Sequence, residues 1–522
     1  LVSDAVNKTE HSMHLYGTLY HQRGQKLENK KFLTAAAQIY TLYLDTFEKY
    51  PTSYEIRYYL ADILFDFEKY SESADHYTTV AFADPKKGKY TQQAAMNAVL
   101  AIQKLDQKQK YDKLPPAGQA TNAIEIHGVK KKLVAVLDNY VKLLPQDKQG
   151  YPMRYTAAEV YFLHGHYEAA MARFDAIAQE LPTTDQGKAS VKIILAYNSE
   201  KKDWKTTLEL CEKFIKSPYG KDKTMNGFIV KIQKNASFNY AFALAQNNDH
   251  IEAARAFESY QKQFPTDKDA DKALFNAASN FYKASQPESA LGSYKLLIAK
   301  YPKSKFRDDA LVDVAQTFEA LVQFEEAAYY YKLFAKSFPK DKRAEAALYN
   351  SATLYAGLSK LDDSENLFQD FIKTYSGSGL KVDAWLALAK VQERKGEHRQ
   401  AITSYTTYSG MVQSRSMDEA LFARAKAAIL TLNHVNEKEV SKLVGQLRRE
   451  LVKKNQVAAL EARRYVGEEL FKKIDTYYAA FTRAEVNDPI KIESQVQKKQ
   501  QKLVAAAAQY EDLMKVGSPE YT

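Results

Sequence analysis

Residues 270–302 read ADKALFNAASNFYKASQPESALGSYKLLIAKYP, and this passage recurs about four times at a fixed interval. Each copy ends on an aromatic residue that is followed, in most copies, by proline. These pairs are Phe264-Pro265, Tyr301-Pro302, Phe338-Pro339 and Tyr375-Ser376, with a step of 37 residues. Self-similarity at a period of about 20–50 residues is typical of stacked repeat proteins. The sequence therefore predicts an array of repeats rather than one compact core.

Two further columns keep the same step and indicate that each copy is a helical hairpin. A small residue recurs as Ala253, Ala290, Ala327, Ser364 and Ala401. An aromatic residue follows four positions later as Phe257, Tyr294, Tyr331, Phe368 and Tyr405. Apolar residues at three- and four-residue steps give a helix one buried face, and Pro287 suits the first turn of the second helix. Because one hairpin cannot bury both of its faces, we expect the copies to stack.

Composition points to long helices and excludes several protein classes. Only 14 Pro and 19 Gly occur in 522 residues, against 37 Tyr and 25 Phe, which favours an all-α fold. No apolar run approaches the roughly 18–20 residues that span a bilayer. The net charge of +10 is a mild excess rather than a nucleic-acid-binding block. The single Cys211 excludes an intrachain disulfide, and its place in the aromatic column predicts a core residue.

The columns divide the chain into six parts. We predict an N-terminal helical cap at 1–30, repeats at 31–112, an insertion or hinge with a connecting helix at 113–149, repeats with an expanded turn at 150–236, regular repeats at 237–410, and a C-terminal helical cap or interaction region at 411–522. The insertion is placed at Pro115-Pro116, because proline breaks helices. Since the chain opens at Leu1 without methionine, we expect a trimmed or processed piece.

Motifs that could carry chemistry are weak. No glycine-rich phosphate loop is present, since Gly187-Lys188 and Gly220-Lys221 lack the upstream glycine. His164-Gly165-His166 has no third ligand nearby in the sequence, which argues against a metal site. We therefore predict no catalytic residues, no metal and no cofactor, and expect that the protein is not an enzyme.

A small residue, an aromatic residue four positions later and a proline eight further on, within a helical hairpin, resemble the tetratricopeptide repeat. The resemblance covers about residues 35–85 and 150–408. The step of 37 residues exceeds the family's usual length of about 34, and the glycine common in its first helix is replaced by Ala278, Ala315, Ala352 and Ala389. Residues 301–311 are similar to tetratricopeptide proteins of the Gram-negative cell envelope, including outer-membrane-assembly, cell-division-coordinator and gliding-motility proteins. The resemblance implies an α-solenoid (superhelix) with irregular helical caps.

The resemblance also implies a partner-binding groove on the first helices. In the family, a polar column facing the concave groove can hydrogen-bond a bound peptide; here that column is Asn239, Asn276, Asp313 and Asn350. Neighbouring side chains that we expect to add apolar and cationic contacts are Phe275, Tyr282, Tyr349, Lys390 and Arg394. The alternative is that asparagine serves local hydrogen bonding and solubility at these positions.

The leading hypothesis is a non-enzymatic scaffold that binds protein or peptide partners in a bacterial envelope complex, in the periplasm or at the outer membrane. The lysine cluster at Lys130, Lys131 and Lys132 keeps open an anionic-polymer-binding protein, for nucleic acid or cell-wall glycan. An accessory subunit of an enzyme complex and a cytoplasmic location are further alternatives. The C-terminal helices offer a contact for a homo-oligomer.

Overall fold

The structure is a computed structural model that describes residues 2–434, 460–518 and 520. Within those residues every regular element is helical, and none is a strand. The chain divides into a first unit, Leu1–Ala243, and a second unit, Leu244–Thr522. Among the described residues, no helix combines the length and apolarity needed to cross a membrane. The predicted all-α fold is confirmed.

The helices follow one another as hairpins joined by short turns. In the first unit and across its end they are α1 (Val2–Lys26), α2 (Lys30–Phe47), α3 (Ser53–Asp66), α4 (Tyr70–Ala83), α5 (Thr91–Lys108), α6 (Gly128–Leu143), α7 (Gly150–Leu163), α8 (Tyr167–Glu180), α9 (Asp185–Glu200), α10 (Trp204–Ile215) and α11 (Lys223–Gln246). In the second unit they are α12 (His250–Gln263), α13 (Ala270–Lys283), α14 (Pro287–Lys300), α15 (Arg307–Ala320), α16 (Phe324–Ser337), α17 (Ala344–Gly357), α18 (Leu361–Thr374), α19 (Lys381–Lys395), α20 (His398–Val412), α21 (Met417–His434), α22 (Leu460–Thr482) and α23 (Ile492–Val516).

The α13–α14 hairpin shows why the repeated passage folds as it does. Ala278 and Ala290 are fully buried, so the two helices approach closely at these small side chains. Pro287 is the first residue of α14, where its missing N–H costs no hydrogen bond. Tyr294 is buried between this hairpin and the next and donates a hydrogen bond to Asp313 of α15. The predicted role of the aromatic column, filling the space between successive hairpins, is confirmed at this residue.

The turn inside each regular hairpin contains one residue in the left-handed backbone region. Ser285, Val322 and Ser359 have φ values of 58°, 60° and 59°, and Gly165 and Gly396 have 75° and 81°. Side chains beyond Cα disfavour this region, most of all when they are branched at Cβ. The repeat therefore imposes a left-handed turn residue even where the sequence does not supply glycine.

One hairpin of the first unit has a much longer inner turn than the others. The α5–α6 hairpin is interrupted by the non-helical residues 109–127, which we call the strap. Ala120 and Ile126 of the strap are buried. The strap lies where the sequence predicts a helix-breaking insertion, and its role as a hinge stays a prediction.

Elements outside the regular hairpins differ in detail from the sequence-based helices. The helix expected from about His11 begins at Val2, and the extra residues after Pro218 form a 3₁₀ turn and lengthen α11 to 24 residues. The helices expected at about 417–432, 458–484 and 490–515 correspond to α21, α22 and α23. The helix expected at 437–454 lies outside the described residues.

Candidate functional site

The first helices of the regular hairpins, α13, α15, α17 and α19, carry eight of the nine predicted partner-binding residues. We call the surface formed by these residues and their exposed neighbours the first-helix face. The ninth residue, Asn239, lies on α11 within the first unit. Its amide donates to the carbonyl and side-chain oxygens of Asn235, at 2.9 and 2.8 Å. The Asn239 side chain therefore serves local hydrogen bonding within its own helix, which was the alternative to partner binding.

A pocket of about 210 Å³ lies on the first-helix face between α13 and α15. It is lined by Ser279, Tyr282, Lys283, Tyr294, Asp313, Gln316 and Thr317. Tyr282 and Asp313, two of the predicted residues, thus meet at one site. Tyr282 is 53% exposed, so its ring is accessible from solvent. The lining combines an aromatic ring, a cation, a carboxylate, an amide and hydroxyl groups, which suits a polar or amphipathic peptide side chain.

Asp313 is held inside this pocket by the aromatic column. The Tyr294 hydroxyl donates to Asp313 Oδ2 at 2.7 Å. Burial raises the pKa of the Asp313 carboxyl, and the hydrogen bond from Tyr294 partly offsets that shift. The predicted groove residue Asp313 therefore also takes part in the packing between hairpins, because it accepts a hydrogen bond from Tyr294 of the preceding hairpin.

Three predicted residues leave their polar atoms available. No hydrogen bond or ion pair within the described residues engages the side chains of Asn276, Asn350 or Lys390, and Asn350 and Lys390 are exposed. Lys283, beside the pocket, is likewise exposed and unpaired among the described side chains. These groups can donate to, or accept from, a bound polypeptide backbone without first breaking an internal contact.

The other three predicted residues are engaged by the fold. Phe275 stacks on Phe306 with ring centroids 5.2 Å apart, and the ring of Tyr349 lies 5.7 Å from that of Phe371. Arg394 donates to the carbonyl oxygen of Ala356 at 2.8 Å, and its second terminal nitrogen donates to a neighbouring serine hydroxyl. The structure thus assigns packing to the two aromatic residues and a tie between α17 and α19 to Arg394.

The sequence analysis did not predict the charged clusters that join neighbouring hairpins. Arg343 contacts Asp309 at 2.6 Å, Asp341 at 2.8 Å and Asp308 at 3.2 Å. The side-chain and backbone hydrogen bonds from Arg343 lower the pKa of Asp341 to about 2. Asp308 and Asp309 are 35 and 34 residues from Arg343 in the chain, so only the repeat length could have suggested the contact. The cluster joins the start of α15 to the turn before α17.

A second cluster connects the α17–α18 and α19–α20 hairpins. Glu365 is buried and accepts from Lys395 and from Gln392, the latter at 2.9 Å. Ser404 donates to the Gln392 side chain at 2.7 Å. Burial alone would raise the pKa of Glu365, but the hydrogen bonds from Lys395 and Gln392 lower it. Such a network holds the first-helix face in one arrangement because the two hydrogen bonds to Glu365 cross from one hairpin to the next.

The lysine cluster of the first unit is largely neutralised. Lys130, Lys131 and Lys132 pair with Asp106 at 2.8 Å, Glu125 at 3.2 Å and Asp75 at 3.0 Å, respectively. These pairs reduce the positive field that an anionic polymer would need.

The two histidines at the α7–α8 turn are occupied by hydrogen bonds. His164 Nδ1 lies 2.7 Å from the Val160 carbonyl oxygen, and His166 Nε2 lies 2.9 Å from that of Ile124. Because a carbonyl oxygen only accepts, both rings must donate at these atoms. Over the described ranges no cluster of three or more His, Cys, Asp or Glu is arranged to hold a metal ion.

Cys211 is fully buried, as the sequence predicted. Its thiol lies 3.8 Å from the Ile229 carbonyl oxygen. Burial raises the pKa of the thiol to about 12. A thiol that stays protonated and lies away from solvent is a packing residue rather than a nucleophile.

Solved structures that resemble part of the chain include two proteins with partial coverage. A Podosopora anserina protein described as a kinesin light chain with nearly identical TPR-like repeats is 14% identical, with a TM-score of 0.24, and covers 35% of this chain and 94% of its own. The Pseudomonas aeruginosa protein pilF is 13% identical, with a TM-score of 0.23, and covers 44% of this chain and 95% of its own. No curated protein sequence matches the chain.

Two family models match within the second unit. Both are models of the tetratricopeptide repeat, one at residues 272–304 and the other at residues 349–410. The first match covers the α13–α14 hairpin and the turn that follows it. The matched passages are those that the sequence columns single out. The chain therefore contains tetratricopeptide repeats at residues 272–304 and 349–410.

Proposed function

We propose that this protein is a non-enzymatic scaffold that binds an extended or helical segment of a protein partner along the first-helix face of α13–α19. The observation that supports it is the pocket between α13 and α15, where Tyr282 and Lys283 are exposed beside the half-buried Asp313. Asn350 and Lys390 continue the accessible polar surface on α17 and α19. Concave or grooved surfaces with aromatic and polar groups are common docking sites for peptide segments.

The fold supports binding more than chemistry. The charged clusters around Arg343 and Lys395 fix neighbouring hairpins relative to one another. The first-helix face is therefore preorganised, and less free energy is spent on ordering it when a partner binds. The raised pKa of the Asp313 carboxyl is explained by its burial between hairpins, which the hydrogen bond from Tyr294 partly offsets. A scaffold role follows from a rigid face that has available amides and lysines.

An affinity capture from source cells tests the proposal. Full-length protein and the Tyr282→Ala/Asn350→Ala variant serve as baits, and recovered partners are quantified by mass spectrometry. Tyr329→Ala is the matched control, because Tyr329 is also 53% exposed but lies on a second helix, α16. We expect at least one partner to be lost with the double variant and kept with the control. Equal recovery with all three baits would show that the first-helix face is not the binding surface.

We further propose that the scaffold works in a bacterial envelope complex, in the periplasm or at the outer membrane. The support is the similarity of the turn sequence at residues 301–311 to envelope tetratricopeptide proteins. Fractionation of source cells, with an antibody to this chain, tests the location. Recovery with the cytoplasmic fraction alone would contradict it.

A further inference from the structure

A second pocket, of about 570 Å³, lies in the first unit between the strap, the start of α6 and the end of α7. We call it the strap pocket. Its volume falls within the range of about 300–1,000 Å³ that is common for small-molecule sites. None of its lining residues belongs to the first-helix face, so a ligand bound here is additional to the partner segment proposed above.

The strap wall of this pocket is fixed by hydrogen bonds to the α7–α8 turn. The Ile124 backbone N–H donates to the His164 carbonyl oxygen at 2.8 Å, and the His166 ring donates to the Ile124 carbonyl oxygen at 2.9 Å. The Tyr167 hydroxyl donates to the Ala120 carbonyl oxygen at 3.1 Å. Since these bonds form without a ligand, the pocket is preformed, and little free energy is lost in ordering its walls when a ligand binds.

His164 brings an unused hydrogen-bond acceptor to the strap pocket. The residue lines the pocket and is only 7% exposed. Its Nδ1 donates to the Val160 carbonyl oxygen at 2.7 Å, which leaves Nε2 as the acceptor nitrogen of the neutral ring. No hydrogen bond within the described residues reaches this Nε2. Because a buried acceptor without a partner costs free energy, the pocket favours a ligand that brings an N–H or O–H group.

Apolar and aromatic side chains form much of the remaining lining. Four of them are aliphatic and are buried or partly buried: Leu114, Ile124, Val160 and Leu163. The Tyr111 ring lies 5.5 Å from the His127 ring, with an interplanar angle of 81°. Aromatic rings pack well against one another in offset or edge-to-face arrangements. These walls therefore suit a ring better than a flexible polar chain.

The charged groups of the lining give the pocket no preference for an ion. The ion pairs described above neutralise Lys130 and Glu125. Lys110 and Asp112 are exposed, form no ion pair within the described residues and carry opposite charges. Since a charged group loses hydration when it enters a largely apolar site, an uncharged ligand is favoured.

We propose that the strap pocket binds an uncharged aromatic ring that carries one hydrogen-bond donor, namely a phenol or an indole. The O–H or N–H group donates to Nε2 of His164, and the ring packs against the aliphatic side chains and Tyr111. Such rings occur both as free small molecules and as tyrosine or tryptophan side chains of polypeptides. The two sources share this chemistry, and the experiment below distinguishes them.

Isothermal titration calorimetry of the full chain with 4-methylphenol and with 3-methylindole tests the proposal. Each has a counterpart whose donor is blocked by methylation, 4-methylanisole and 1,3-dimethylindole, respectively. We expect saturable binding of both donors with a Kd below about 1 mM. The methylated counterparts should bind about threefold to tenfold more weakly, as expected for the loss of one hydrogen bond. Toluene, which lacks the hydroxyl group and adds no bulk, should bind as weakly as 4-methylanisole.

Three variants locate the binding site. His164→Phe keeps a ring but removes the acceptor, so 4-methylphenol and toluene should differ by less than about twofold in this variant. Because two ligands are compared in one variant, a general loss of stability does not imitate this result. Leu114→Trp should weaken the binding of 4-methylphenol about tenfold or more, because the new ring occupies the space of the ligand. Asn350→Ala on the first-helix face is the control and should leave the Kd unchanged.

Capped amino acids identify the source of the ring. N-acetyl-tyrosinamide and N-acetyl-tryptophanamide carry the same rings together with peptide groups. Tighter binding of these compounds than of the bare rings would assign the pocket to a side chain of a polypeptide. Weaker binding would assign it to a free small molecule.

The same titrations give the results that would overturn the proposal. Absence of saturable binding by all of these ligands, or equal binding of the donors and their methylated counterparts in the wild-type protein, would refute it. A preference for 4-methylphenol over toluene that persists in His164→Phe would show that His164 is not the acceptor. Tighter binding of 4-methylbenzoate than of 4-methylphenol would show that the pocket selects an anion, and the assigned chemical class would be wrong.

Discussion

The α7–α8 and α15–α16 turns share a backbone conformation but differ in what covers them. Gly165 has a φ of 75° and Val322 a φ of 60°. A Cβ atom at Gly165 would lie 2.8 Å from the Asn122 carbonyl oxygen and 2.9 Å from the Ala120 Cβ atom, so the strap needs glycine there. Val322 carries the side chain that glycine lacks and is 69% exposed. The repeat dictates the turn, whereas the residue at its left-handed position decides how closely another segment can approach.

The comparison also separates two kinds of stabilisation. Both hairpins depend on the same buried aromatic column, which contains Phe174 and Tyr331. The α7–α8 hairpin is additionally stabilised by the strap, which belongs to the preceding α5–α6 hairpin. Substitutions in the column should therefore act alike in both hairpins, and substitutions in the turns should not.

The largest expected effect is loss of the shared aromatic packing. Phe174→Ala and Tyr331→Ala should each lower the free energy of unfolding by about 3–5 kcal/mol, because each removes a buried ring between hairpins. Hydrogen exchange resolved by mass spectrometry, together with urea denaturation, measures the loss hairpin by hairpin. A loss below about 1 kcal/mol at either residue would break the equivalence of the two hairpins.

The next largest effect distinguishes the strap-bearing turn. Gly165→Ala should cost about 2–4 kcal/mol, because it combines left-handed strain of about 1–2 kcal/mol with displacement of the strap. Gly396→Ala is the matched control: Gly396 is also left-handed, but a Cβ atom there would meet nothing within 4 Å. The control should show the strain alone and leave the exchange protection of residues 109–127 unchanged. If both variants lose the same free energy of unfolding, the strap does not require glycine at position 165.

A change in pH should change the stability of one region in each unit, and the two changes should have opposite signs. Burial raises the pKa of Asp62 from 3.8 to about 6, with the Tyr77 hydroxyl bond opposing the shift, whereas Arg343 lowers that of Asp341 to about 2. Stability contributed by protonated Asp62 is present below about pH 4 and is lost as the pH rises to about 6, by an amount on the order of 1–3 kcal/mol. Stability from Asp341 is present above about pH 4 and is lost as the pH falls towards 2.

Hydrogen exchange of α3–α4 and of α15–α17, corrected for the intrinsic pH dependence, measures these opposite trends. Asp62→Asn should flatten the profile of the first pair between pH 4 and 6 and leave that of the second region unchanged. A profile of α3–α4 that stays as steep in the variant would contradict the assignment to Asp62.

The smallest expected effect is an increase in the free energy of unfolding. Val322→Gly should stabilise the second unit by about 0.5–1.5 kcal/mol, because relief of the β-branched left-handed strain outweighs the greater flexibility of glycine in the unfolded chain. Ser359→Gly relieves a smaller, unbranched side chain and should gain less. Thermal unfolding at constant pH ranks the variants, and a Val322→Gly variant no more stable than wild type would show that the turn carries no strain.

The regular hairpins could be predicted because their determinants are local in the sequence. Ala278, Pro287, Ala290 and Tyr294 set the helix contact, the turn and the interface within 17 residues, and the structure places each as expected. Contacts between residues in different repeats could not be predicted from that pattern. Arg343 reaches carboxylates 34 and 35 residues away, and Ile124 meets a turn 40 residues further along the chain.

The candidate site was only partly predictable for the same reason. Spacing indicated that Asn276, Asp313 and Asn350 share a face, and the pocket joins Asp313 with Tyr282. Spacing could not show that Arg394 ties α17 to α19 or that Phe275 and Tyr349 are engaged in packing. The sequence pattern predicts on which face of a helix a side chain lies. Whether that side chain is free to bind a partner depends on contacts with residues of the adjacent repeat.

The strap has a practical consequence for protein engineering. A turn that elsewhere spans two or three residues accommodates 19 residues at positions 109–127, while α5 and α6 keep their buried faces. Insertions at such loops cost little chain entropy, because closure entropy grows slowly with loop length. Ser285 and Ser359 occupy the corresponding turns in the regular repeats. These two positions are suitable graft points for displaying a foreign recognition loop on a stable helical support.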